Sequence, residues 1–290
     1  MTNKEPPKEL IKYYACNEFS YDALKNNYLW ASNPLQFNDP CDCSIKAWEE
    51  QTFREDIVKK HIPNFSEKNF PISNRDQVIE VLLSKLGIIC LNNNEKEFED
   101  IIWGYYSNHS GFSISFNLEI LSKDLNRTTP EKVNYKRVDE LERFGLSDNT
   151  DEFPWTVRSW VSQKKLIWKP ENEWRYIFFD IDYENSSSRK KYYKQESINK
   201  VTLGLNFFGK NREPIKGTTQ AFIYNPTKEL DLFNYRILKH LTDNTKFEVW
   251  WMFQGEDMKL EPIPIKLSYW DPYGIIIKID LPTDPETSLG

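Results

Sequence analysis

At 290 residues the chain is long enough for one large hydrophobic core of a kind that buries roughly 75% of the unfolded surface, and 39% apolar with 28% charged residues is the composition of a folded soluble protein. A net charge of −6 excludes a surface coated all over by nucleic acid, because phosphate binding needs clustered Lys and Arg. No apolar run approaches the length of about eighteen residues that a membrane span requires, and the polar start "MTNKEPPKEL" lacks a signal-peptide pattern, so no membrane role and a cytoplasmic location are expected.

In chain order, "LIKYYA" from Leu10 to Ala15 predicts a strand. "NEFSYDALKNN" predicts a helix, with Asn17 or Ser20 as its cap and Phe19, Ala23 and Leu24 along its apolar face, and "YLWAS" predicts a second strand. "NPLQFNDPCD" is a dense turn signal, since Asn and Asp bond the backbone locally and Pro fixes its own φ. Helices are then expected over "IKAWEEQTFREDIVKKHI" and "RDQVIEVLLSKL", forming a helical insertion of about residues 45–86. "GIICL" reads as a buried strand, "EKEFEDIIWGYYSNHS" as an acidic helix, and "GFSISFNL" as a strand with Phe112, Ile114 and Phe116 on one face.

"EKVNYK" is a weaker strand, the segment from Asp151 to Trp168 a helix, and "NEWRYIFFDID" a strand of high β propensity. The basic run "RKKYYK", Arg189 to Lys194, reads as a solvated flexible loop, with a local basic patch as the alternative. "INKVTLGLNFF" predicts a strand ending at Gly204, and "KELDLFNYRILKHLTDN" an amphipathic helix. Two or three strands then lead to a loose tail over 281–290. The irregular interleaving predicts an α+β fold, a mixed, mostly antiparallel sheet with helical insertions, in one domain over 1–280. There is no GxGxxG, Walker A or GxSxG motif. Cys16, Cys41, Cys43 and Cys90 form no CxxC pair and His61, His109 and His240 have no ligand-like spacing, so no structural metal is expected.

Three polar clusters interrupt well-patterned elements. Lys12, Tyr13 and Tyr14 precede Ser32 and the Asn38-Asp39-Pro40 turn; a Lys in a short early strand also serves as edge protection. In "WGYYSNHSGFSISF", Trp103 and Tyr106 share a helix face, Gly111 caps the exit, and His109 is either a proton carrier or a partner for the last carbonyls. In "KKLIWKPENEWRY", Glu171, Glu173 and Arg175 fall on one strand face, where they either pair on a solvated surface or place a carboxylate for chemistry with Arg175 holding it.

Taken together, "IKYY" at 11–14, "LWASNPLQFNDPCD" at 29–42, "WGYYSNHSGFSISF" at 103–116, "WKPENEWR" at 168–175 and "KVTLG" at 200–204 resemble, in order and spacing, the bacterial family catalogued as domain of unknown function 2971. The opening strand, helix and "LWAS" are in turn similar to the opening of toxin-type ADP-ribosyltransferases. That resemblance implies an ADP-ribosyltransferase-like fold with NAD as cofactor. It implies Lys12 and Ser32 as NAD-holding positions, and Glu173, less so Glu171, as the carboxylate that stabilises an oxocarbenium-like ribose, with Arg175 beside it. Tyr13, Asn38, Asp39, Trp103 and His109 complete the expected cofactor wall. Lys12 stands where such enzymes carry His or Arg; Cys41 and Pro170 stand where the family favours Phe and Tyr.

The leading expectation is therefore an NAD-dependent ADP-ribosyltransferase-like toxin or phage-defence effector acting on an unknown macromolecular target, protein or nucleic acid. The first alternative is a non-catalytic recognition or sensor module that binds a small molecule or a partner protein. The second is a metal-dependent nuclease using Asp39, Asp42, Glu171 and Glu173, which requires those carboxylates to converge.

Overall fold

The chain alternates short strands and helices. β1 (Glu9–Tyr14), α1 (Glu18–Lys25) and β2 (Tyr28–Trp30) open it, and α2 (Glu55–His61), α3 (Arg75–Leu82), β3 (Gly87–Asn92), α4 (Glu99–Ser107), β4 (Phe112–Asn117) and α5 (Leu118–Asp124) follow. Next come β5 (Glu131–Lys132), β6 (Asn134–Lys136), α6 (Phe153–Val161), β7 (Gln163–Lys165), β8 (Glu173–Phe178), β9 (Lys190–Tyr192) and β10 (Ile198–Leu203). β11 (Arg212–Pro214), β12 (Ala221–Tyr224), α7 (Leu232–Asp243), β13 (Glu248–Gln254), β14 (Leu260–Asp271) and β15 (Gly274–Ile279) close it. This computed structural model describes residues 7–37, 39, 41–62, 75–93, 99–182, 185–210, 212–216, 218, 220–225, 232–244, 246–255, 258–271 and 274–279. The expected tail over 281–290 lies outside the described residues. Among the described residues no helix is long and apolar enough to cross a membrane.

The fold is α+β with mixed, mostly antiparallel sheet. Contacts group the chain into two compact units, one comprising Leu29–Asn93 and Leu125–Tyr192, the other Pro7–Tyr28, Asn94–Asp124 and Tyr193–Gly290. Neither unit is one continuous stretch, so no linker composition marks a boundary.

In the second unit eight strands run in the order β11-β12-β15-β14-β13-β10-β4-β1. Every neighbouring pair is antiparallel except β10 with β13. β4 is buried on both faces, so Ser113 and Ser115 join Phe112, Ile114 and Phe116 inside. Asn17 caps α1 in a reciprocal box with Ser20, as its residue type dictates. The inner face of α1 is Ser20, Ala23 and Leu24, whereas Phe19, expected there, is 81% exposed.

The first unit pairs β3-β8-β5 antiparallel, joins β6 to β7 in parallel, and pairs β2 with β9. The expected long helix over 45–62 is instead two 3-10 turns, Ile45–Ala47 and Glu50–Thr52, followed by α2. Trp48 bridges to Phe144 through Phe144 N–H to Ala47 O at 2.8 Å and Glu49 N–H to Phe144 O at 2.7 Å. That bridge draws Glu49 N–H and Ala47 C=O away from a helical ladder, and tertiary pairing overrides local propensity. The helix expected over 151–168 stops at Val161. Gln163 there bonds the backbone of Glu142 with both ends of its amide, and Pro170 closes off helical continuation in the 3-10 turn Leu166–Glu171.

The basic run is built into the fold instead of forming a loose loop: Arg189 ends a 3-10 turn and Lys190–Tyr192 are β9. Arg189 donates to Ala31 O at 3.0 Å and lies 4.4 Å from the Trp30 ring centre, and Lys191 pairs with Asp180 at 3.2 Å.

Within the second unit, Trp103 of α4 packs with Ile102, Met252 and Tyr13 in a small core, its ring edge-on to Tyr13 at 5.0 Å. Trp103 is 1% exposed, as expected from the face it shares with Tyr106. Trp103→Ala should lower the unfolding free energy by about 3–5 kcal/mol in urea denaturation, since truncating a buried Trp leaves a cavity the sheet cannot fill.

Candidate functional site

The exit of α4 is held in an unusual backbone. Asn108 and His109 are successive left-handed residues, φ 49° and 57°, a conformation that costs non-glycine residues energy and persists only where the surroundings impose it. Two glycines impose it here. A Cβ on Gly111 would sit 1.9 Å from the Tyr14 carbonyl oxygen, and one on Gly204 would sit 2.3 Å from that of His109. Gly204 N–H donates to Gly111 O and Asn206 N–H to His109 O, both at 2.8 Å, so the ends of β1, α4 and β10 are stitched together.

This stitching surrounds a cavity of about 500 Å³, lined among others by Cys16, Tyr106, Asn108, Ser110, Asn206 and Asn234. Among the described residues no Asp, Glu, Lys, Arg or His lines it. Burial pushes the Cys16 thiol up to about 12, so it stays neutral at physiological pH, and its Sγ lies 3.5 Å from Ser110 O. Asn234 donates its amide to Phe207 O at 2.7 Å, which fixes that side chain. The cavity is thus a concave, uncharged, hydrogen-bonding site with aromatic walls.

In the first unit, Arg175 is 0% exposed and every one of its five N–H donors has an acceptor. Nε and Nη2 reach Glu173 at 2.8 and 3.0 Å, Nη1 and Nη2 reach Asp42 at 3.0 and 2.6 Å, and Nη1 also donates to Val161 O. Lys164 lies beside this fork, its Nζ 2.5 Å from Glu171, 3.1 Å from Glu173 and 3.3 Å from Asp42. The backbone is clamped around the carboxylates. Asn172 adopts φ 41°, Asn92 donates its amide to Glu171 O at 2.8 Å, and Glu173 N–H donates to the Tyr135 hydroxyl at 2.8 Å.

Burial alone would raise the pKa of Glu173, but Arg175 first and Lys164 second hold it well below the ordinary carboxylate value. Burial would lower that of Lys164, and Glu173, Asp42 and Glu171 together raise it. Both groups stay charged across the physiological range, so the network locks charge in place and moves no proton near neutrality.

The expected site residues therefore fall into two sets. Lys12, Tyr13, Trp103 and His109 belong to the second unit, and Ser32, Asp39, Glu173 and Arg175 to the first; Asn38 lies outside the described residues. Lys12 and Tyr13 alternate along β1 and so face opposite sides of it; Tyr13 serves the Trp103 core. His109 shapes the cavity through its backbone. Ser32 makes a backbone bridge with Ile88, and Asp39 accepts from Cys41 N–H at 2.8 Å, holding its own loop. Glu173 and Arg175 do pair, but in the interior and not on a solvated face.

Sequence reasoning missed Lys164, which sat within an expected helix, and left Asp42 without its partner. It also missed the cavity residues Cys16, Asn206 and Asn234, which only the fold brings to the α4 exit. Comparison with protein-family models, with curated proteins and with solved structures finds no match for this chain.

The network sets a pH window. The folded pKa of Glu173 is depressed, so its contribution is present above the unfolded value of about 4.3 and is lost as pH falls through and below it. That of Lys164 is raised, so its contribution is full below about 10.4 and is lost as pH rises beyond it. Urea denaturation should show wild-type stability falling between about pH 5 and pH 2. Glu173→Gln should be destabilised by about 3–5 kcal/mol at neutral pH and show a shallower acid loss. Equal acid slopes in the two proteins would remove this assignment.

Proposed function

We propose that the protein is a recognition module that binds an uncharged, hydrogen-bonding small molecule in the cavity at the α4 exit. The observation that carries this reading is the cavity itself: four separate chain segments converge on it, strained backbone is held open beside it, and among the described residues its lining offers amides, hydroxyls and aromatic faces but no ionised side chain. A neutral heterocycle bearing an amide or imino edge, such as a nucleobase or nicotinamide, complements that lining.

The buried network supports recognition over group transfer. A carboxylate that stabilises an oxocarbenium-like ribose must face the substrate, whereas Glu173 is 2% exposed with both oxygens held by Arg175 and Lys164. Asp42, Glu171 and Glu173, three of the four carboxylates of a metal-dependent nuclease, do converge, but on the Lys164 ammonium. Four free cysteines fit a reducing, cytoplasmic setting for such a module.

Calorimetry of the wild type with nicotinamide, adenine, uracil and NAD is the test. We expect one of the neutral heterocycles to bind saturably. Ala15→Phe, which places a ring at the cavity edge from an exposed position, should weaken that binding at least about tenfold without lowering the melting temperature. NAD binding accompanied by nicotinamide release that Glu173→Gln abolishes would instead favour the ADP-ribosyltransferase-like reading. Absence of binding by every probe would count against recognition of this ligand class.

A further inference from the structure

The first unit contains a second concavity with the opposite electrostatic character. It encloses about 250 Å³ between the Ile45–Ala47 turn, the Leu141–Arg143 segment and β7, and among the described residues its wall carries Lys46, Arg143, Lys164 and Lys165 against a single acid, Glu142. Lys164 is engaged by three carboxylates and Glu142 by Lys136, so neither brings free charge. Lys46, Arg143 and Lys165 remain. Lys165 bonds the Cys41 side chain, which lines the same pocket, and lies within electrostatic reach of Asp39, which does not.

The site is built rather than incidental. Gln163, itself buried, holds Glu142 by accepting from its N–H at 2.9 Å and donating to its carbonyl at 3.1 Å. The Trp160 indole N–H donates to Ser44 O at 3.2 Å, and Arg143 donates to Lys46 O at 2.9 Å, which ties two of the cationic segments together. Three cations held around one concave surface repel one another, and that repulsion is relieved by an anion that enters between them. Guanidinium and ammonium groups together suit tetrahedral oxyanions, and the volume admits one or two phosphate groups with a small substituent.

We propose that this pocket binds a phosphate-bearing small molecule, with its anionic end held between Lys46, Arg143 and Lys165. The proposal is independent of the neutral cavity in the other unit. Cys41, whose exposed side chain lines the same pocket, supplies a local reporter.

The experiment measures alkylation of Cys41 by iodoacetamide in the full chain, read by peptide mass spectrometry, with inorganic pyrophosphate, with ADP, and with sodium chloride at matched ionic strength. Pyrophosphate is expected to slow Cys41 modification saturably by about fivefold or more relative to the salt control, and to leave Cys16 unchanged. ADP protecting at lower concentration than pyrophosphate would identify the ligand as a nucleotide; equal protection would identify the phosphate end as sufficient. Lys46→Glu, a change at an exposed position, should remove the protection while the melting temperature holds. Lack of protection by pyrophosphate overturns the proposal, as does protection by ADP alone, protection equal to that of sodium chloride, or protection that survives in Lys46→Glu.

Discussion

The first unit depends on one requirement, that a guanidinium buried without solvent must have every N–H answered. Arg175 sits in the middle of β8, and leaving it unpaired would cost several kcal/mol. Two carboxylates from different parts of the chain answer four of the five: Glu173, two residues away on the same strand face, and Asp42, 133 residues earlier in sequence; the Val161 carbonyl takes the fifth. Once Asp42 and Glu173 are fixed, Lys164 has a site, and with Lys164 comes Glu171. The left-handed Asn172, the Tyr135 hydroxyl on Glu173 N–H and the Asn92 amide on Glu171 O follow from holding those carboxylates in register. The network has three acids and two bases, and within it Glu173 and Lys164 hold each other charged near neutrality.

Strain takes the place of charge in the second unit. Two left-handed residues at the end of α4 are tolerated because Gly111 and Gly204 let backbone approach backbone more closely than a Cβ permits. The Trp103 core on the buried side of α4 keeps the helix from relaxing away from β1. A cavity remains beside this turn because the segments that meet there are joined by backbone hydrogen bonds and not by interdigitated side chains. Among the described residues its lining is neutral because its polar atoms come from amides, hydroxyls and a thiol whose ionisation burial suppresses.

The two units therefore present different surfaces for chemistry. One offers a neutral, aromatic and amide-lined cavity, and the other a rigid charge lattice with a cationic pocket beside it. The five sequence motifs divide along the same line. "IKYY", "WGYYSNHSGFSISF" and "KVTLG" build the α4 exit, while "FNDPCD" and "WKPENEWR" build the Arg175 network.

Much of this was legible in the sequence. Period-2 and continuous apolar runs marked β3, β4 and β8, Asn17 or Ser20 marked the start of α1, and the Glu-x-Arg spacing put Glu173 and Arg175 on one strand face, because these depend on local geometry alone. Asp39, too, holds its own turn, as Asx chemistry dictates. Other features required contacts distant in sequence. Trp48 and Phe144 turn an expected helix into 3-10 turns, and Gln163 on Glu142 ends another helix early. The burial of Glu173 and Arg175, and the role of Asp42 as the second partner, follow from sheet pairing and long-range ion pairing that no local pattern encodes. The sequence by itself determined which residues could carry charge, bend backbone or pack. Tertiary structure decided which of them meet, because an ion pair across 133 residues or a Cβ-free approach of two backbones is set by loop closure and packing, not by spacing along the chain.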